Sequence, residues 1–157
     1  MAKAIGIIVI FLLVGVAAYT IYIRETRPFT AYETWQLRVE DASLTVLVAD
    51  TVEKRTRGLM NVNAMEEDSG MVFIFSDLAP RTFWNKNTFI DLDVLWIRGE
   101  RIAGISRLPA ITKSGSVVTV SSQESVDRVI EVNAGWVERN EVDVNAFVTT
   151  GITNEAR

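Results

Sequence analysis

The stretch Arg81–Trp96, RTFWNKNTFIDLDVLW, gathers the side chains best suited to chemistry. Trp84, Lys86, Asn87 and Thr88 place an aromatic ring, a cation, an amide and a hydroxyl side by side. They stand directly ahead of an apolar run interrupted only by Asp91 and Asp93. On an extended strand, side chains two apart share a face. Trp84, Lys86 and Thr88 are therefore expected to point one way, with Asn85, Asn87 and Phe89 pointing the other. A ring beside a cation and amides suits a sugar, a carboxylate or a peptide end. The same groups serve equally well as a structural knot, with Lys86 paired to Asp93 or Glu131, because buried charges need partners. Both readings stay open at this level.

Carboxylates supply the remaining candidates. Asp91 and Asp93 share an expected strand face with Cα atoms roughly 6.5–7 Å apart, a spacing compatible with two-carboxylate hydrolysis. In Val129–Asn133, VIEVN, Glu131 sits between branched apolar residues in an expected central strand. A carboxylate there needs a partner, for which Arg57 and Lys86 are the candidates, or it becomes a general base with a raised pKa. The acidic run Glu66–Asp68 lacks the alternating ligands of a calcium loop and reads as a solvated turn.

The 157 residues contain no histidine and no cysteine. Disulfides, cysteine nucleophiles, histidine-based triads and Cys/His zinc sites are excluded. No metal and no cofactor is expected. Acid–base chemistry would fall to carboxylates, lysine or tyrosine. Past Lys3 there are 15 Lys and Arg against 20 Asp and Glu, a balance of −5. That opposes binding to nucleic acid, which requires a basic surface.

These residues must be positioned by the elements around them. Ala4–Ile23 is a 20-residue run without a charge, about 30 Å of helix and long enough to span a bilayer. It continues past the small residues Val16–Ala18 and exceeds a signal-peptide core, so an uncleaved anchor is expected over a cleaved signal. Flanking charges do not decide its orientation: Lys3 stands on one side, Arg24 and Arg27 on the other. The expected organisation is a transmembrane anchor at 1–23, a linker at 24–34, a β domain at 35–150 and a mobile tail at 151–157. Within the domain, alternation marks strands at 35–40 and 43–50 and at several later positions, the last over 142–148. Asp41-Ala42 suits a hairpin turn, Gly99 a second one, and Asp50 the cap of a short helix ending near Gly58. Short strands at regular spacing and no βαβ rhythm predict an all-β fold: an antiparallel β-sandwich or jelly-roll-like domain with one or two short helices, behind a single transmembrane helix.

Four motifs in order, RTRGLM (55–60), GMVFIF (70–75), FWNKNTFIDLDVLW (83–96) and VIEVNAGW (129–136), resemble the prokaryotic family known as domain of unknown function 192. The resemblance implies a compact β-sandwich behind a signal peptide or anchor, and no agreed activity. Trp84, Lys86, Asn87, Thr88 and Asp93 match the family pattern, as do Arg57, Gly58, Gly70, Glu131 and Gly135. Asn85 stands where the pattern has Met, and Asp91 where it has Pro. Arg57, Trp84, Lys86, Asn87, Thr88, Asp93 and Glu131 are thus the binding candidates, with Asp93 and Glu131 also the catalytic ones. The function expected is a non-catalytic binding or interaction module of the cell envelope, attached to the membrane by its helix and meeting an envelope protein or a small molecule. The alternatives are a carboxylate-dependent hydrolase of an envelope polymer and an accessory subunit of a membrane complex.

Overall fold

The computed structural model describes residue 29 and residues 32–151. The expected anchor, most of the linker and nearly all of the tail lie outside the described residues. Among the described residues no helix is long and apolar enough to cross a membrane. The chain divides into two compact units, Met1–Tyr32 and Glu33–Arg157; the second holds every element named below.

In chain order these are β1 (Thr34–Val39), β2 (Ala42–Ala49), α1 (Val52–Arg57), β3 (Ser69–Ala79), β4 (Thr82–Trp84), β5 (Leu92–Arg98), β6 (Arg101–Leu108), α2 (Ile111–Ser114), β7 (Thr119–Ser121), β8 (Val126–Asn133), α3 (Trp136–Arg139) and β9 (Val148–Gly151). The mostly β expectation holds, but the layering differs from two packed antiparallel sheets. Seven strands form one sheet in the order β6-β5-β8-β3-β2-β1-β9, and β4 pairs with β7 in a separate two-stranded ribbon. The large sheet curls until its end strands meet. Ile102 N donates to Ala146 O at 3.0 Å, and Asn145 N to Ile102 O at 2.8 Å, just ahead of β9. Leu37, Val46, Val72, Ile130, Leu95, Ile102 and Val148, one from each strand, meet in a single inner core with Trp136. One core shared by all seven strands is the reason no second sheet is needed to cover it.

Two further corrections follow. β2 and β3 run parallel, Thr45 opposite Ser69 through Ala49 opposite Phe73, with α1 in the crossover between them, so one βαβ unit exists after all. The helix cap is Thr51, whose Oγ1 accepts from Lys54 N at 3.2 Å. Asp50 instead pairs with Lys54 Nζ at 2.7 Å.

Gly70 lets β3 lie close to β8. A Cβ at this position would fall 2.4 Å from the Glu131 carbonyl oxygen, a backbone atom that cannot swing away. Gly70→Ala should therefore lower stability by about 3 kcal/mol, at the upper end of overpacking costs. Gly99→Ala, where a Cβ meets nothing within 4 Å and only the left-handed φ of 60° is strained, should cost only about 1 kcal/mol. Urea midpoints of the two variants check the contrast; equal effects would refute the close-approach argument.

Candidate functional site

The β4–β7 ribbon divides its side chains cleanly. Thr82 opposes Ser121, Phe83 opposes Val120, and Trp84 opposes Thr119. Phe83 turns inward onto the large sheet, with its ring 4.7 Å from that of Phe73 and 5.7 Å from that of Trp96. Trp84 therefore faces outward and is 45% exposed. Lys86 is exposed on the same side, its Nζ 5.0 Å from the centroid of the Trp84 ring. The expected shared face of Trp84 and Lys86 is present. Lys86 does not pair with Asp93 or Glu131, and makes no ion pair among the described residues.

Past Trp84 the chain turns, and strand alternation no longer governs. Asn87 takes a left-handed φ of 54°, a conformation asparagine tolerates better than most residues. Its carbonyl accepts from Asn61 N at 2.8 Å. Thr88 is buried rather than facing out with Trp84. Asn85 is fully buried and carries the knot. Its Nδ2 donates to Pro109 O at 2.9 Å and Ser114 Oγ at 2.8 Å, and its Oδ1 accepts from Val118 N at 2.9 Å. Sequence reasoning passed over it as a departure from a family pattern. An asparagine at an inward ribbon position was the available signal, because a buried amide demands partners.

The two aspartates of DLD serve different elements. Asp91 Oδ1 accepts from Ala110 N at 2.8 Å, and Oδ2 meets Lys113 Nζ. The backbone hydrogen bond from Ala110 and the Lys113 ammonium hold its pKa below the usual carboxylate value. Asp93 Oδ2 accepts from Gly135 N at 2.8 Å and Val137 N at 3.2 Å, while Oδ1 pairs with Arg107 Nε at 2.8 Å. The run Glu66–Asp68 is also more than a solvated turn. Asp68 Oδ1 accepts from Trp136 Nε1 and from Arg139, each at 3.1 Å, and Glu67 pairs with Arg139 at 3.2 Å.

Glu131 is the exception. Its register partners are Met71 on β3 and Val94 on β5, both fully buried, and it is itself 4% exposed. Among the described residues neither Arg57 nor Lys86 pairs with it, nor does any hydrogen-bond donor. Burial alone raises its pKa from 4.5 to about 8. Asp93 opposes Val132 while Val94 opposes Glu131, so the two acids occupy opposite faces of the sheet. The alternative reading, a centre built from these two carboxylates, is not supported by this arrangement. Arg57 closes α1 as its last residue.

The fold and these contacts define a small, mostly β domain whose polar residues chiefly brace its loops. The family model for DUF192, described as uncharacterized ACR, matches residues 35–150, and the chain belongs to that family. Among solved structures it is similar to a protein of Sinorhizobium meliloti 1021 named a "putative transcription regulator", with 32% identity, 77% of this chain and 96% of that chain covered, and a TM-score of 0.70. It is also similar in fold to a protein of unknown function from Novosphingobium aromaticivorans DSM 12444, with 20% identity, 75% and 84% covered, and a TM-score of 0.64. No curated protein matches.

Two outcomes follow from these contacts. Asn85→Ala should cost about 2–3 kcal/mol, because it strands partners that the buried amide satisfied. It should also speed amide exchange in 109–118, and unchanged exchange there would remove Asn85 from its bracing role. For Glu131 the folded pKa lies above the unfolded one. Its stabilising contribution is therefore whole below about pH 4.5 and declines as pH rises toward 8, at up to about 1.4 kcal/mol per unit. With no histidine or cysteine in the chain, few other groups titrate in that window. The urea midpoint of the natural protein should fall between pH 5 and 8, whereas that of Glu131→Gln should stay nearly level; parallel curves would refute the assignment.

Proposed function

We propose that the chain is a binding or interaction module of the cell envelope, held at the membrane by its N-terminal apolar run with the domain on the extracytoplasmic side. The observation that carries the binding reading is the outward face of the β4–β7 ribbon. Trp84 is 45% exposed there, Lys86 lies against its ring, and Val117, on the neighbouring strand's approach, is 52% exposed. Phe89, 40% exposed, follows a few residues on. A large ring kept in water on a paired ribbon has the character of a contact residue, since tryptophan is among the residues that dominate interfaces. Lys86 adds a cation that forms no ion pair among the described residues. The ligand this face suits carries an anionic group beside a planar or apolar surface, on an envelope protein or a small molecule.

The hydrolase reading loses its support, because Asp93 and Glu131 are separated by the sheet. The name of the Sinorhizobium protein points to transcription, but the −5 balance past Lys3 works against contact with phosphate backbones. The apolar length of Ala4–Ile23 supports the anchor, and the usual layout of an anchor followed by one domain supports export.

Cosedimentation of the full chain, in detergent, with isolated envelope fractions tests the face. Trp84→Ala and Lys86→Ala should each weaken retention by about tenfold, equivalent to about 1.4 kcal/mol, without moving the urea midpoint. A lowered midpoint with unchanged retention would return both residues to a structural role. Protease added to intact spheroplasts should digest the domain; protection until lysis would refute export.

A further inference from the structure

The curled sheet is closed along only part of β6. Around Arg101 and Ile102 the strand is bonded to residues 145–147. From Gly104 to Arg107 it is paired with β5 on one side and with no described backbone on the other. Every second residue of such an edge presents an unpaired N–H and C=O. A cleft opens on each face of this edge. The inner one, about 440 Å³, is bordered by Ile105, Arg107, Val137, Glu138, Glu141 and Asp143. The outer one, about 120 Å³, is bordered among others by Trp96, Gly104, Ser106, Ser122, Gln123 and Glu124. Alternation along β6 points Ile105 and Arg107 to the inner side and Gly104 and Ser106 to the outer, while Ile105 and Ser106 each border both clefts.

We propose that this slot takes an extended segment of another protein, basic at alternate residues, as an added strand along Gly104–Arg107. Backbone pairing with β6 supplies affinity, and the two clefts supply specificity. Side chains of an added strand alternate between the clefts. Those entering the inner cleft meet Glu138, Glu141 and Asp143, none of which forms an ion pair among the described residues, while the Arg107 charge in the same cleft is offset by Asp93 at 2.8 Å. Lysine or arginine fits there, its methylenes along Ile105 and Val137 and its charge among the carboxylates. Residues entering the outer cleft meet Ser106, Ser122, Gln123 and the Trp96 ring in a small space, with Glu124 held by Arg98 at 3.4 Å, so serine, alanine or glycine fits. A second copy of this chain is a poor occupant, because two such edges brought together would oppose their own acidic groups. The proposal is independent of the Trp84 face, which lies on the β4–β7 ribbon.

Calorimetric titration of the full chain in detergent with an eight-residue peptide alternating lysine and serine provides the test. Saturable one-to-one binding is expected. Pairing the lysines in sequence instead of alternating them should weaken it about tenfold, and so should methylating every backbone amide, which keeps the charge and removes the donors. Glu138→Lys combined with Glu141→Lys, both at exposed positions, should weaken the alternating peptide about tenfold while leaving the urea midpoint in place. Equal binding of the methylated peptide, or no saturable binding at millimolar concentration, overturns the proposal. So does a concentration-dependent dimer that excludes the peptide, which would assign the slot to a second copy.

Discussion

The pairing of β5 with β8 decides which polar residues of this domain can meet. Leu92 opposes Asn133 and each step continues to Ile97 opposite Arg128. Adjacent residues on a strand face opposite ways, so a single step of register separates the fates of Asp93 and Glu131. Asp93 enters the inner side, where the start of α3 and Arg107 offer it donors. Glu131 enters the outer side between Met71 and Val94, where no donor among the described residues meets it. A slip of β5 by one residue would turn Asp93 to the outer face beside Glu131. Such a slip would also turn Leu95 and Ile97 out of the inner core, where each is completely buried, and this apolar cost fixes the arrangement.

Given that register, the polar residues near the sheet act mainly as ties between distant segments. The four-residue helices α2 and α3 are too short to form unaided. Each is held at its start by an aspartate from the β5 region: Asp91 on Ala110 N, and Asp93 on Gly135 N and Val137 N. Asp68 secures α3 again through Trp136 and Arg139. Asn85 does the same for 109–118 from the ribbon. A chain without cysteine has no disulfide to fasten its loops, and here charged and amide side chains fasten them. That leaves Glu131 as the anomaly, since the other buried acid, Asp93, is fully engaged.

Much of this was legible in the residue order, and the failures have physical causes. Alternation placed β1 and β2, because those features are local; Trp84 and Lys86 share a face as expected, but Lys86 reaches it from the turn after β4. The pairing of Asp93 was not legible. Counting back from the turn, Arg98 opposite Arg101 would set Asp93 opposite Ser106. A register shift between Trp96 and Ile97 moves it to Arg107 instead, and nothing in the side-chain pattern announces a bulge. The same limit defeated the expected Lys86–Glu131 pair. Alternation tells which residues share a face, but only the packing of Phe83 on Phe73 and Trp96 shows that the ribbon's outward face is solvent. The parallel β2–β3 pair was hidden because the crossover contains only the short α1 helix.

The expected strand over 142–148 fails for a reason that also explains the free β6 edge. VDVNAFV alternates as a strand should, yet Asn145 has a left-handed φ of 76°, and Glu141 just ahead has one of 52°. Neither conformation continues an extended chain. Val142 N bonds back to Val137 O at 3.0 Å and Ala146 N to Asp143 O at 3.2 Å, so the segment folds into turns and reaches β6 only at its end. Had it run straight, it would have paired along Gly104–Arg107 and closed the sheet. The turns that break the strand thus leave one length of β6 unpaired, and they hold Glu141 and Asp143 beside the gap they create. An open edge is a liability that proteins ordinarily blunt with charge or cover. Here the only charged side chain on that length of β6, Arg107, is drawn to Asp93 within the domain, and the edge keeps its donors and acceptors available.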